Sequence, residues 1–156
     1  MTIQRRSLKF NNLAEAAADA ESLHRRGYEK AGQWDLSQVC GHLSEWMRYP
    51  IEGFPPAPFP VRVIMWGMRK TVGRKMLRQI FENGFKPGGP TAPQSVQPPG
   101  GDEGEAVKRL RQAVDRFENH QGPFLPSPLF GALDRDQAKR LQLLHCEHHL
   151  SFLVPK

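Results

Sequence analysis

Three histidines crowd into the ten residues from Leu143 to Phe152, LLHCEHHLSF. On a helix turning about 100° per residue, His149 falls about 40° from His145, and Ala138, Leu141 and Phe152 fall within about 40° of it as well. Both imidazoles then lie in the middle of an apolar face, one turn apart. Burying two imidazoles side by side costs free energy unless each finds a partner. A divalent metal ion is a partner both can share, because histidines at i and i+4 aim two nitrogens at one point. His148 lies about 60° round the other way and points partly inward. It either replaces His149 as a ligand or stands behind the ligands.

His42 sits beside Val39 and Trp46 at the edge of another apolar stripe, LSQVCGHLSEWM, where it can reach the interior and supply a third nitrogen. Three histidines leave coordination positions open for water or substrate, the pattern of a working site rather than a closed structural one. Glu45, one turn after His42, is the candidate catalytic carboxylate: it could orient His42, act as base on a metal-bound water, or simply face solvent. The competing reading for each histidine is a hydrogen-bonded core residue. Glu147 points away from the apolar face and is not taken as a ligand. Cys40 and Cys146 do not share the direction of the ligands and read as small core residues. His24 and His120 stand near helix ends, where surface positions are expected.

Five helical segments must position these residues, and no strand is expected. The first runs from about Leu13 to Tyr28, with Asn12 and Glu15 at capping-box distance. The second opens at Asp35 with Gln38 three residues on, and Pro50 with GFPPAPFP marks its end. The third, about Val61 to Glu82, is apolar on two sides, so it is either nearly central or meets another copy of the chain, which points to a homodimer. FKPGGPTAPQSVQPPGG then reads as a long surface loop. The fourth opens at Asp102 with Glu105 and buries Val107, Leu110, Val114 and Phe117. The last, about Arg135 to Leu153, is capped by Asp134 with Gln137. Amphipathic helices without strands imply an all-α bundle, taken as one domain over residues 1–156.

The composition is that of an ordinary globular protein: 38% hydrophobic and 24% charged residues in 156. No apolar run is long enough to cross a bilayer, so no membrane partner is expected. The N-terminal MTIQRRSLKF lacks the apolar core of a secretory signal, and two cysteines make no disulfide framework, which together suggest a soluble cytoplasmic protein. The net charge of +6 would favour nucleic acid only if it gathered on one face. Arg69, Lys70, Arg74, Lys75 and Arg78 spread around a helix, and nucleic-acid binding ranks last.

Two segments carry a resemblance. WDLSQVCGHL, residues 34–43, looks like the second-helix signature of the DinB-like superfamily, in which a tryptophan precedes a helix whose histidine is followed by leucine. His145-Cys146-Glu147-His148-His149 is similar to that superfamily's last-helix His-x-x-His-His motif. The last motif here continues with Leu150-Ser151-Phe152, where many members have Arg-Gly-Gln. The resemblance implies an up-down-down-up four-helix bundle, often dimeric; the Pro-rich insertions are unlike its simplest members, so this chain is expected to add a short helix and long Pro/Gly-rich loops to that bundle. It also implies zinc or nickel held by His42, His145 and His149. Characterised members include S-transferases and isomerases that use low-molecular-weight thiols, so the resemblance implies a small-molecule partner of that kind, with water as the rival nucleophile.

Overall fold

The computed structural model describes residues 3–156. Helices dominate: α1 (Leu13–Arg26), α2 (Leu36–Glu52), α3 (Phe59–Thr71), α4 (Gly73–Asn83), α5 (Glu103–Asn119) and α6 (Arg135–Leu150). Four of them start where the sequence provides an acceptor for an orphan backbone N–H. The side chains of Asn12, Asp35, Asp102 and Asp134 accept from the backbone N–H three residues on, and Gln38 and Gln137 return the bond to close full capping boxes.

α1, α2, α5 and α6 share one apolar core, with Leu13, Ala17, Leu23, Leu43, Leu110 and Phe117 among its fully buried members. Val107 and Val114 are buried as their spacing requires, and Cys40 and Cys146 are free thiols in the same core. Burial pushes the Cys146 thiol up to about 12, and the Cys40 thiol is raised by the same cause, so both stay protonated.

Four features depart from the sequence reading. First, two short strands exist. β1 (Tyr28–Lys30) pairs antiparallel with β2 (Leu153–Pro155), Glu29 opposite Val154. Three-residue strands carry no readable period, and their pairing is non-local. The ribbon extends when Ala31 N–H donates to the Phe152 carbonyl at 2.8 Å, tying the approach to α2 against the end of α6.

Second, α2 does not stop at Pro50 but continues to Glu52. Proline has no N–H to give the Trp46 carbonyl one turn back. Gln142 of α6 supplies the missing donor, its Nε2 lying 2.9 Å from the Trp46 oxygen. A helix-breaking residue thus becomes a helix-to-helix link, one turn before His145.

Third, the expected long third helix is two helices with an elbow at Val72, and it is not central. α3 has no buried residue, whereas α4 packs on α6 and buries Gly73 and Leu77. Gly73, just after the elbow, lets the Leu129 segment approach, since a Cβ there would stand 2.3 Å from the Leu129 carbonyl oxygen.

Fourth, the Pro/Gly-rich loop is more than a surface connection. Residues 93–101 lie along the start of α2: Gln38 Nε2 donates to the Gln97 carbonyl at 3.0 Å, and Gly100 N–H donates to the Asp35 carboxylate at 2.8 Å. Gly41 leaves room for this loop, since a Cβ there would meet Gln97 Cγ at 2.5 Å. A single 3-10 turn, Pro93–Ser95, ends with Ser95 fully buried beside His42.

Candidate metal centre

His42 is carried by the first two turns of α2, and His145 and His149 by the last two of α6. The capping boxes fix where each helix begins, the Gln142–Trp46 bond fixes their relative height, and the ribbon anchors the end of α6. The three imidazoles meet as a result. His145 Nε2 lies 3.2 Å from His42 Nε2 and 3.1 Å from His149 Nε2, and the ligand atoms of all three fall within 4.8 Å of one another.

The two separations at His145 fit one ion. Two nitrogens bound at the usual zinc–imidazole distance, at a tetrahedral angle, stand about 3.3 Å apart. They fit a metal-free hydrogen-bond network poorly. His42 Nδ1 faces the Ser95 carbonyl at 3.3 Å, and a carbonyl only accepts, so Nδ1 carries the hydrogen. Nε2 of His42 therefore presents a lone pair. His145 Nε2 carries either one hydrogen or one lone pair, so a neutral trio makes a regular hydrogen bond across only one of its two contacts. A cation accepts all three. The Ser95 carbonyl is the orienting partner that metal-bound histidines characteristically have behind them.

Electrostatics agree with neutral ligands. Burial lowers His42 to about 4, and burial with its imidazole neighbours lowers His149 to about 2. His145 is held well below the ordinary range, by burial first and then by His149 and His42. At neutral pH no proton has to leave before a metal binds.

Aromatic rings enclose the cluster. The Trp34 ring stacks on His149 with centroids 5.2 Å apart and meets the edge of His42 at 5.0 Å. Trp46 approaches His145 at 5.9 Å, and Phe85, just beyond the end of α4, covers His145 at 5.2 Å. His42 is 1% exposed, while His145 and His149 each keep part of their surface open.

The other titratable candidates lie elsewhere. His148 is outside the three-histidine group; its Nδ1 is buried without a hydrogen-bond partner, and its ring packs against Phe85, Phe152 and His149. Glu45 is not brought to the histidines either. Arg48 binds its carboxylate at 2.5 Å, and it lines a shallow depression with Arg109 and Arg116 of α5. Glu147 accepts from the Phe10 N–H at 2.8 Å and so holds the N-terminal segment against α6. Sequence reasoning missed Ser95 and Phe85, which arrive from distant loops; Trp46, one turn after His42, was within reach of a helical-face argument.

No curated protein and no solved structure matches this chain. A family model described as "Protein of unknown function (DUF1569)" matches it over residues 2–156. Since the match spans nearly the whole sequence, helices and histidine cluster included, the chain belongs to the DUF1569 family.

Proposed function

We propose that this protein is a DinB-like four-helix bundle of up-down-down-up order, whose His42, His145 and His149 bind one divalent cation, zinc or nickel, for work on a small molecule. The observation that carries the reading is the convergence of the three imidazoles, His145 Nε2 lying 3.2 Å from His42 Nε2 and 3.1 Å from His149 Nε2, with His42 oriented from behind by the Ser95 carbonyl. α1, α2, α5 and α6 supply the four helices, and α3 with α4 the additional helical segment. Imidazole donors suit zinc and nickel.

Bound there, such an ion favours the deprotonated form of a thiol or water, giving a nucleophile at neutral pH. The chain's own residues do the rest. Three neutral imidazoles add no charge to the site, leaving the full divalent charge to act on an incoming anion. Trp34, Trp46 and Phe85 exclude bulk water and offer flat apolar surface to the body of a small thiol. Thiol transfer is the leading chemistry and hydrolysis the rival. Glu45 is the carboxylate that hydrolysis would use as base, on release from Arg48.

Cobalt-substituted protein tests this. Millimolar low-molecular-weight thiol should add intense near-ultraviolet charge-transfer absorption, and His145→Ala protein should show none. An unchanged spectrum with cobalt still bound would overturn thiol activation. Glu45→Gln should keep its metal in either case and lose turnover only if hydrolysis is the reaction. A second reading, a metal-binding module without turnover, is favoured by one observation: the only carboxylate one turn from a ligand on α2 is already held by an arginine.

A further inference from the structure

The charge of this protein is concentrated in one place. Between Phe59 and Phe81 stand Arg62, Arg69, Lys70, Arg74, Lys75 and Arg78, with no acidic residue, while the remaining sixteen Lys and Arg balance all sixteen Asp and Glu. Even with Glu82 near the end of α4, the α3–α4 segment therefore carries most of the net charge. Among the described residues, none of these six cations forms an ion pair.

The same segment carries the apolar surface that the core does not use. Phe59 is 75% exposed and Trp66 62%, with Val63 and Ile64 beside them. On α3, Phe59, Val63, Trp66 and Lys70 fall within about 60° of one another, and Arg62 and Arg69 border them on one side. A groove of about 720 Å³ runs between this face and the Phe54–Ala57 turn, with Pro128 closing it.

We infer that α3 docks flat on an anionic phospholipid surface, its Phe59–Val63–Trp66 face entering the headgroup–acyl boundary and its cations meeting lipid phosphates. Charge complementarity selects this occupant. An apolar helix face with Trp and Phe, rimmed by Lys and Arg, is what an interfacial helix needs, and no bilayer span is involved. A second copy of the chain on the same face would set Arg62, Arg69 and Lys70 against their own counterparts. Nucleic acid would place aromatic and aliphatic side chains, not cations, at the centre of the contact.

The test is flotation of the metal-loaded, full-length protein with vesicles. Vesicles of phosphatidylcholine with roughly one quarter phosphatidylglycerol should bind it at low salt and release it at high salt, and pure phosphatidylcholine should not bind it. Phe59→Ser with Trp66→Ser should abolish binding, with circular dichroism and metal content unchanged because both positions lie outside the core. Arg69→Gln with Lys70→Gln should weaken binding roughly 25-fold, about fivefold per charge. Failure to float with anionic vesicles overturns the inference, as does binding that neither pair alters. So does a dimer in sedimentation that the Phe59 and Trp66 changes dissociate. Duplex DNA binding that survives those changes would assign the charge to nucleic acid instead.

Discussion

Gln142→Leu tests the link that sets the height of His145 against His42. Gln142 is 5% exposed, and its Nε2 is the donor to the Trp46 carbonyl that Pro50 cannot serve. Removing that donor leaves a buried carbonyl without a partner, which costs about 1–3 kcal/mol. Leucine of similar volume recovers some apolar burial, and the unpartnered Gln142 Oε1 disappears with the amide, so the net loss should fall at the lower end, about 1–2 kcal/mol. Pro50→Ala alone should cost about 0.4–1 kcal/mol through the looser unfolded chain. In the double variant, the backbone N–H that alanine restores at this position can bond the Trp46 oxygen as any helix residue would, so the two losses should not add. The assay is urea denaturation of chelated protein for all four members of the cycle, which keeps metal binding out of the comparison. A strictly additive double variant would refute the idea that Gln142 stands in for the proline's missing hydrogen.

Gly41→Val should drive Gln97 and the loop behind it off α2, and so unseat the Ser95 carbonyl from His42; metal affinity should drop roughly 10–100-fold by competition against a chelating dye, with the helical spectrum retained. His148→Ala should leave metal content near the parent value by elemental analysis, since His148 is not in the converging group. Chelated protein should lose stability as pH falls below about 6.5. His42, His145 and His149 have folded pKa values depressed below 6.5, so the unfolded chain binds the extra protons and the folded form is favoured as pH rises. Between pH 6 and about 4, each buried histidine contributes at most about 1.4 kcal/mol per pH unit. Denaturation midpoints that do not move between pH 7.5 and 5 would contradict this burial.

Local chemistry made much of the architecture legible. Asn12, Asp35, Asp102 and Asp134 announce helix starts because the capping bond is formed within four residues. The apolar stripe of α5 reads directly as core, and the i, i+4 spacing of His145 and His149 already aims two nitrogens together. What resisted reading was non-local. Glu29 meets Val154 from the far end of the chain, and no periodicity within three residues could announce it. The need for glycine at position 73 is set by the Leu129 carbonyl, far along the chain. Pro50 reads as a stop unless the Gln142 amide is known to wait opposite it. Ser95 sits in a loop whose composition suggests solvent, yet its carbonyl orients a candidate ligand. The apolar second side of α3 was visible in the sequence; its lack of any buried residue was not.

The metal content of untagged protein, purified without chelator, decides between a metal centre and a histidine core. The parent should carry about one equivalent of zinc, nickel or a similar ion. His145→Ala and His149→Ala should retain none, and His42→Ala should show a large loss. Metal content unchanged in all three variants, or a parent protein that binds no added zinc or nickel, would show that the three imidazoles meet only as core residues.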